Sequence, residues 1–485
     1  MKVFLRLRWL AALWLGLASL PAAHASHIIG GDIQYASVAS TTAGVPRYRV
    51  TVRLFRDIAG VDQPSVQLTC NRGGCNATAA DFFTLMVPRS RTQPRPLFTC
   101  SPGPGIISSL YDVYFYDVDV DLPRGQWTLS FAAENRNANI VNFTNSASSS
   151  FYVGTYLDNT LAGTDASPQF LSNLLPYLNS PGPQRYTFSA FDSDGDSLVY
   201  QFTTPQQGLR PNPTTAVLCG NFVANWVPTQ FQLSPATGAL SAPGGATLQQ
   251  GYYAMAAYVY EFRRLNGGWQ LIGRISRDIA YLAYATANTP PQFTGYSRAG
   301  GPLLPSSQVV SVPAGQSVSL LLSATDPDAG QALRFSSDAT AIIPGLSLTA
   351  VGATQARLTW QVPASLPPGR YTATVAVFDD SCPANASEEQ TFSFRVTAAQ
   401  PLAAHPAAEA PATAFPMPFR EQVQFGAAAG QAVVVVDALG RVVAQLRAAA
   451  DGQVLWQPAA SLPAGLYLAR SADGHPLARL LHAAN

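Results

Sequence analysis

Three aspartates in five residues, Asp192, Asp194 and Asp196, stand around Gly195. Carboxylate oxygens presented by a tight turn suit Ca²⁺, which takes about six to eight oxygen ligands. Asp326 and Asp328 repeat the arrangement further along the chain. Both turns are therefore candidate Ca²⁺ sites. Neither is an EF-hand: at the first turn glycine falls too early, and Thr203 stands where the bidentate Glu belongs. The competing reading is a solvated Asp-Gly turn that caps strands. Asp117, Asp119 and Asp121 alternate on one strand face, with Cα atoms ~6.7 Å apart. They read as an acidic edge that deters strand pairing.

Other chemistry is weaker. Gly195-Asp196-Ser197-Leu198 spells an esterase nucleophile block, but the next histidine is His405, so the required base is missing. Tyr252, Tyr253, Tyr258, Tyr260 and Phe262 could stack on sugar, although rings also pack across strand ladders. Glu261 is expected to pair with Arg263 or Arg277 as a structural bridge. The five cysteines cannot all pair within the chain. Cys70 and Cys75 could close the loop between them, with Cys100 as the alternative partner. Cys219 and Cys382 are expected to be unpaired.

Residue usage excludes whole classes of enzyme. The five histidines are His24, His27, His405, His475 and His482, and Lys2 is the only lysine. Ser–His and Cys–His nucleophiles need imidazole, and zinc enzymes usually do. Schiff-base chemistry and P-loops need lysine. Carboxylate-pair hydrolysis survives, but two inward carboxyls ~5–9 Å apart in one cleft are not expected. Net charge is +1. Setting aside the leader's Lys2, Arg6 and Arg8 leaves −2, which offers no footprint for nucleic acid.

Such residues need a scaffold, and the 485 residues suggest about three domains. Tyr48, Val50, Val52 and Leu54 alternate with Arg49, Thr51 and Arg53, and Tyr116 to Leu122 alternates likewise. Asn266-Gly267-Gly268 between two such runs signals a hairpin. Val433 to Val436 reads as a strand buried on both faces. The class is all-β, in tandem sandwiches. Ser167-Pro168-Gln169-Phe170 recurs as Pro290-Pro291-Gln292-Phe293. Each copy precedes an Asp turn, a Leu-x-aromatic strand and a Gly that opens a later strand. The expected division is a signal peptide at 1–25, sandwiches at 26–163, 164–287 and 288–397, an Ala/Pro-rich linker at 398–412 and a small β-sandwich at 413–485. The leader has a basic start, about twelve apolar residues and Ala23-His24-Ala25, a small-x-small cleavage pattern. Twelve residues are too few to cross the hydrocarbon core, and no later run is long enough, so a soluble mature chain is expected.

Three resemblances bear on function. Phe415-Pro416-Met417-Pro418-Phe419, Val435 to Val442 with Gly440-Arg441, Trp456 and Leu462 to Tyr467 with Gly465 occur in order. This end of the chain resembles the type A sorting domain of the type IX secretion system, with Met417 where Asn is usual. The resemblance implies passage across a gram-negative outer membrane and removal of the domain, with Pro416, Pro418, Gly440, Arg441, Gly465 and Tyr467 carrying the motif. The N-terminal half is similar to secreted or surface proteins of gliding bacteria. His27 to Tyr35, Tyr48 to Asp57, Leu122-Pro123, Trp127, Asn135 to Asn137, Asp194 to Tyr200, Glu261-Phe262-Arg263, Ile272-Gly273 and Arg277-Asp278 carry that likeness. Relatives often have cysteines where Ala133-Glu134 stand, and no activity is implied. Residues 288–397 resemble cadherin-like and bacterial immunoglobulin-like domains through Ala324 to Gly330, Pro344-Gly345-Leu346 and Tyr371 to Asp380.

The expectation is a non-catalytic, adhesin-like binding or structural protein. It travels through the periplasm to the outer cell surface or the medium. Its expected partners are the type IX machinery and an extracellular glycan or protein, with Ca²⁺ as the one candidate cofactor. The alternatives are a carbohydrate-binding protein and a carboxylate-pair glycosidase acting on extracellular polysaccharide.

Overall fold

The computed structural model describes residues 28–483, except 73–80, 96–110, 135, 138–139, 144, 176, 181, 209–219, 223–230, 243, 246–247, 383–384 and 400–413. The leader, Cys75, Cys100, Cys219 and most of the expected linker lie outside the described residues. Two units divide near residue 400. The described residues are all-β, interrupted by short 3-10 turns at Ser146–Ser148 and Asp338–Ala341. Among the described residues no helix is long and apolar enough to cross a membrane.

The spine of the first unit is the long hairpin Gly251–Leu265 and Gly268–Ala285. Its turn has Asn266 at φ 51 and Gly267 at φ 83, the two left-handed positions a type I′ turn demands. The strand Gly268–Ala285 pairs along its length with Gly251–Leu265. It also takes Ile28–Val38 through Gly30↔Ile279 and Asp32↔Arg277, and Phe151–Asp158 through Gly273↔Leu157. The sheet runs on from Ile28–Val38 to Arg47–Asp57, Tyr111–Asp121 and Arg91–Arg95. From Phe151–Asp158 it runs to Gln126–Ala133, Ser65–Arg72 and Phe82–Pro88. One sheet therefore crosses the boundary expected at 163/164. The second segment supplies the strand that joins the two wings of the first, so 26–163 and 164–287 are not separate sandwiches.

Burial explains where alternation holds and where it fails. Tyr48, Val50, Val52 and Leu54 enter one core with Leu68, Tyr116 and Leu129. Phe55 enters another, with Phe170, Tyr186, Met255 and Ile279. The far end of Arg47–Asp57 is thus covered on both faces, and Arg53 is buried where solvent is expected. Asp32 holds Arg53 and Arg277 there, each at 2.9 Å. A buried charge demands such a partner. Cys70 points into the first core as a free thiol pushed up to about 12 by burial. This corrects the disulfide expected for it: period-two alternation turns its sulfur inward from the strand. Cys382, expected to be unpaired, is disulfide-bonded.

Residues 288–399 form a two-sheet sandwich. One sheet orders Gln292–Ser297, Ser317–Thr325, Gln355–Gln361 and Leu346–Ala350. The other orders Val310–Pro313, Ser387–Thr397, Gly369–Phe378 and Arg334–Ser336. Trp360 stacks edgewise on Phe394 at 5.1 Å in its core. Leu171 and Phe191 enter this core from outside, while Phe378 enters the neighbouring one. Thr372 Oγ1 donates to Ala190 O at 3.2 Å, and Asp338 accepts from the Asn173 N–H at 2.9 Å. The sandwich is welded to the preceding segment.

The second unit, described over 414–483, packs the pair Val423–Gly426 and Gln453–Trp456 on a four-stranded sheet. That sheet orders Val442–Arg447, Ala432–Val436, Gly465–Ser471 and Pro476–His482. Phe419, Val435, Trp456 and Tyr467 lie in its own core. Val434 is only half-buried, so the valine run is not covered on both faces throughout.

Candidate functional site

The first Asp turn is built by its own backbone. Asp192 Oδ1 accepts the N–H groups of Asp194 and Asp196 at 3.0 and 2.9 Å. Gly195 holds φ 81 there, and a Cβ would meet Pro367 and the Tyr371 hydroxyl. The turn feeds Ser197–Thr203, which pairs with Gly251–Leu265 so that Ser197 faces Phe262 and Leu198 faces Glu261. Glu261 and Arg263 are two residues apart, so both point to the face where the turn lies.

Five carboxyl groups meet there. Asp165, Asp194 and Asp196 form one group, and Asp192, Asp196 and Glu261 another. Within each, one oxygen per residue lies within 4.8 Å of the others. Arg263 sits in the first group. Its guanidinium donates to Asp196 at 2.9 and 2.5 Å, to Asp165 at 2.7 Å and to Asp194 at 3.2 Å. Tyr35 donates its hydroxyl to Asp165 at 2.9 Å. Arg263 reaches the second group only through the shared Asp196; among the described residues no guanidinium pairs with Asp192 or Glu261. Glu261 is 0% exposed, Asp192 3% and Asp196 8%. Neither oxygen of Glu261 has a donor, and nor does Asp192 Oδ2. Burial pushes Asp192 up to about 7 and Asp165 to about 6, and it drives Glu261 well above the usual carboxylate range.

The structure places each expected site residue as follows. Asp192, Asp194 and Asp196 share one turn but fall into different acid groups. Asp165 and Glu261 join them and were not anticipated. The signal for Glu261 was a lone acid following the apolar run Met255–Val259. The expected bridge from Glu261 to Arg263 or Arg277 does not form, because Arg263 serves the three aspartates and Arg277 serves Asp32. Acids do converge here, but as buried groups with oxygens within 4.8 Å of one another, which differs from a glycosidase pair of open carboxyls ~5–9 Å apart. At the second turn, Asp326 Oδ1 accepts the Asp328 N–H at 2.8 Å and Asp328 Oδ2 accepts the Thr289 N–H at 2.6 Å. Among the described residues no third acid joins that pair at metal-sharing distance. This turn caps the chain entering the sandwich.

The remaining candidates resolve into structure. Asp119 meets Arg49 at 2.8 Å, Asp117 accepts from Thr51, and Asp121 faces Arg47 across the ladder. The aspartates therefore answer a basic neighbouring strand. Tyr253 and Tyr258 are buried, and Tyr258 packs edgewise on Tyr260 at 5.8 Å. Trp269, on the partner strand of the hairpin, is an exposed ring, at 63%. It shares a cleft of about 490 Å³ with Asp192, Asp196, Tyr200 and Tyr371. In the second unit, Gly440 takes φ 80 in a turn where Asp437 holds the Arg441 side chain at 2.7 Å. Tyr467 donates to Pro463 O at 2.7 Å, two residues before Gly465. Pro416 and Pro418 flank Met417, ahead of the buried Phe419.

Comparison with known proteins agrees with the sandwich. Residues 301–398 match the family described as "Putative Ig domain". Solved structures similar to the chain include the N-terminal eight Ig domains of Down Syndrome Cell Adhesion Molecule. That match has 12% identity and a TM-score of 0.18, and covers 90% of this chain and 47% of that one. The chain thus spans about half the length of that neighbour. The tandem Ig repeats of Dlar match at 8% identity and a TM-score of 0.20, covering 48% of this chain and 95% of that one. An I-band fragment of titin matches at 9% and 0.15, covering 76% and 98%. No curated protein matches the chain. The fold class is that of an all-β protein with an immunoglobulin-like module, and it rests on the strand pairing and the matched module.

Proposed function

We propose that the chain is an exported, adhesin-like protein that works by binding or spacing, without catalysis. The observation that carries this reading is the condition of its acids. Of the five that converge beside the cleft, Glu261 is sealed from solvent, and Asp196 and Asp194 are clamped by Arg263. A glycosidase needs two carboxyls free to act on the substrate; here Asp192 and Asp196 both line the cleft, but both oxygens of Asp196 are held by Arg263. No imidazole lies between Ile28 and Ala404 to supply another base.

Export is the second part of the proposal. The C-terminal unit has its own core and carries Pro416, Pro418, Gly440, Arg441, Gly465 and Tyr467. These features support a sorting domain handled by type IX machinery after passage through the periplasm, with the mature protein at the cell surface or in the medium. The test is a periplasm-targeted fluorescent reporter fused to residues 414–485 in a type IX-competent bacterium. The reporter should leave the cell and be retained when the secretion apparatus is deleted. Retention in the competent strain would sink the assignment. The ligand class is an extracellular glycan or protein. The exposed Trp269 beside Tyr371 in the cleft favours a glycan as the second reading. A glycan array with no hit, or a hit indifferent to Trp269→Ala, would remove it.

A further inference from the structure

Two acid groups share Asp196, and only one of them has a cation built in. Arg263 fills the outer group, Asp165, Asp194 and Asp196, with charge-assisted hydrogen bonds to all three. The inner group, Asp192, Asp196 and Glu261, has three buried carboxyls and no guanidinium of its own. Glu261 supplies the independent observation: it is fully buried, it is aimed into the group, and neither of its oxygens meets a donor. Asp192 spends Oδ1 on backbone N–H groups and leaves Oδ2 without a donor. Buried carboxylates in that condition cost several kcal/mol unless a positive charge or a proton joins them.

We propose that the inner group Asp192, Asp196 and Glu261 binds one divalent cation of the Ca²⁺ class. The donor chemistry selects a hard ion. Every available atom is an oxygen, and the described histidines, His475 and His482, belong to the other unit. Ca²⁺–oxygen distances of about 2.3–2.6 Å let two ligands of one ion lie up to roughly 5 Å apart. The inner oxygens lie within 4.8 Å of one another. Access is available because Asp192 and Asp196 line the cleft, from which water would complete the ion's shell. Gly273 makes room for the Glu261 carboxyl itself, since a Cβ there would run directly onto Oε2. The ligand set differs from the contiguous Asp192, Asp194 and Asp196 suggested by the sequence. Asp194 belongs to the arginine, and Glu261, 67 residues downstream on a separate strand, takes its place. The inference goes beyond the export and binding reading and does not depend on it.

The test is calorimetric titration of the metal-stripped full chain with CaCl₂ near neutral pH, alongside thermal unfolding. One binding site and a raised melting temperature are expected. Glu261→Gln should weaken binding at least about tenfold, whereas Asp194→Asn should stay within about threefold of the parent. If Glu261→Gln does not fold, Asp192→Asn gives the same readout. Absence of heat and of any thermal shift up to about 10 mM Ca²⁺ would overturn the proposal and assign the inner acids a shared proton instead. Equal binding in the parent and in both inner variants would overturn it as well. So would a loss in Asp194→Asn as large as in Glu261→Gln.

Discussion

Glu389 shows what burial does to a single acid. It lies where the sandwich meets the preceding segment, and burial pushes its carboxyl up to about 8 from an ordinary 4.5, against a hydrogen bond from Ser172. The folded chain therefore keeps a proton that the unfolded chain releases between those two values. This group favours the fold most below about pH 4.5, its contribution falls as pH rises through the window, and it is level above 8. Glu389→Gln should remove that slope, which is at most about 1.4 kcal/mol per pH unit. Urea denaturation of parent and variant from pH 5 to pH 8 measures the difference, and parallel curves would refute it. The same chemistry explains what could be read beforehand at the first Asp turn. The Asp-x-Asp-Gly-Asp pattern is local, so its turn was legible. The partition of its acids was not, because Arg263, Glu261 and Asp165 reach it through strand register. No spacing within the turn encodes that register.

Among the elements, the hairpin turn was legible from Asn266-Gly267, since few other residues tolerate two left-handed positions in succession. The period-two runs likewise marked the strands Arg47–Asp57 and Tyr111–Asp121. What remained hidden was which strands pair across long separations. Gly30↔Ile279 joins residues that nothing in the local pattern connects. Glycine is required at that crossing for a steric reason. A Cβ on Gly30 would stand 2.5 Å from Ile279 Cγ1 and 2.6 Å from the Asp278 carbonyl oxygen. Gly30→Ala should part the two strands and lower stability by about 1–3 kcal/mol. The urea midpoint reports it, and an unchanged midpoint would show that the strands shift at no cost.

The whole molecule is two units. The unit before residue 400 joins two large cores and the sandwich core through shared side chains such as Leu171 and Phe378. The unit after it has its own core around Phe419 and Trp456. Scanning calorimetry of the full chain should therefore give two transitions, and residues 414–485 alone should reproduce one of them. A single cooperative transition, lost on separating the pieces, would contradict this. The strands of the sandwich at 288–397 were legible because all eight pair within one contiguous stretch, whereas the entry of Leu171 and Phe191 into its core was not. The boundary at 163/164 was misplaced because repeated turns and strand openings resemble domain borders even when a distant strand spans them.

That spanning strand has a consequence for synthesis. Until Gly268–Ala285 emerges, Ile28–Val38 and Phe151–Asp158 each present an unsatisfied row of amides and carbonyls where their neighbour belongs. Bare margins of this kind template association with other chains. A nascent polypeptide more than half complete is thus still sticky, and its closing stitch comes late. A chaperone or a delay in collapse would be needed over that interval, because the order of the strands sets when the molecule becomes safe from its own copies.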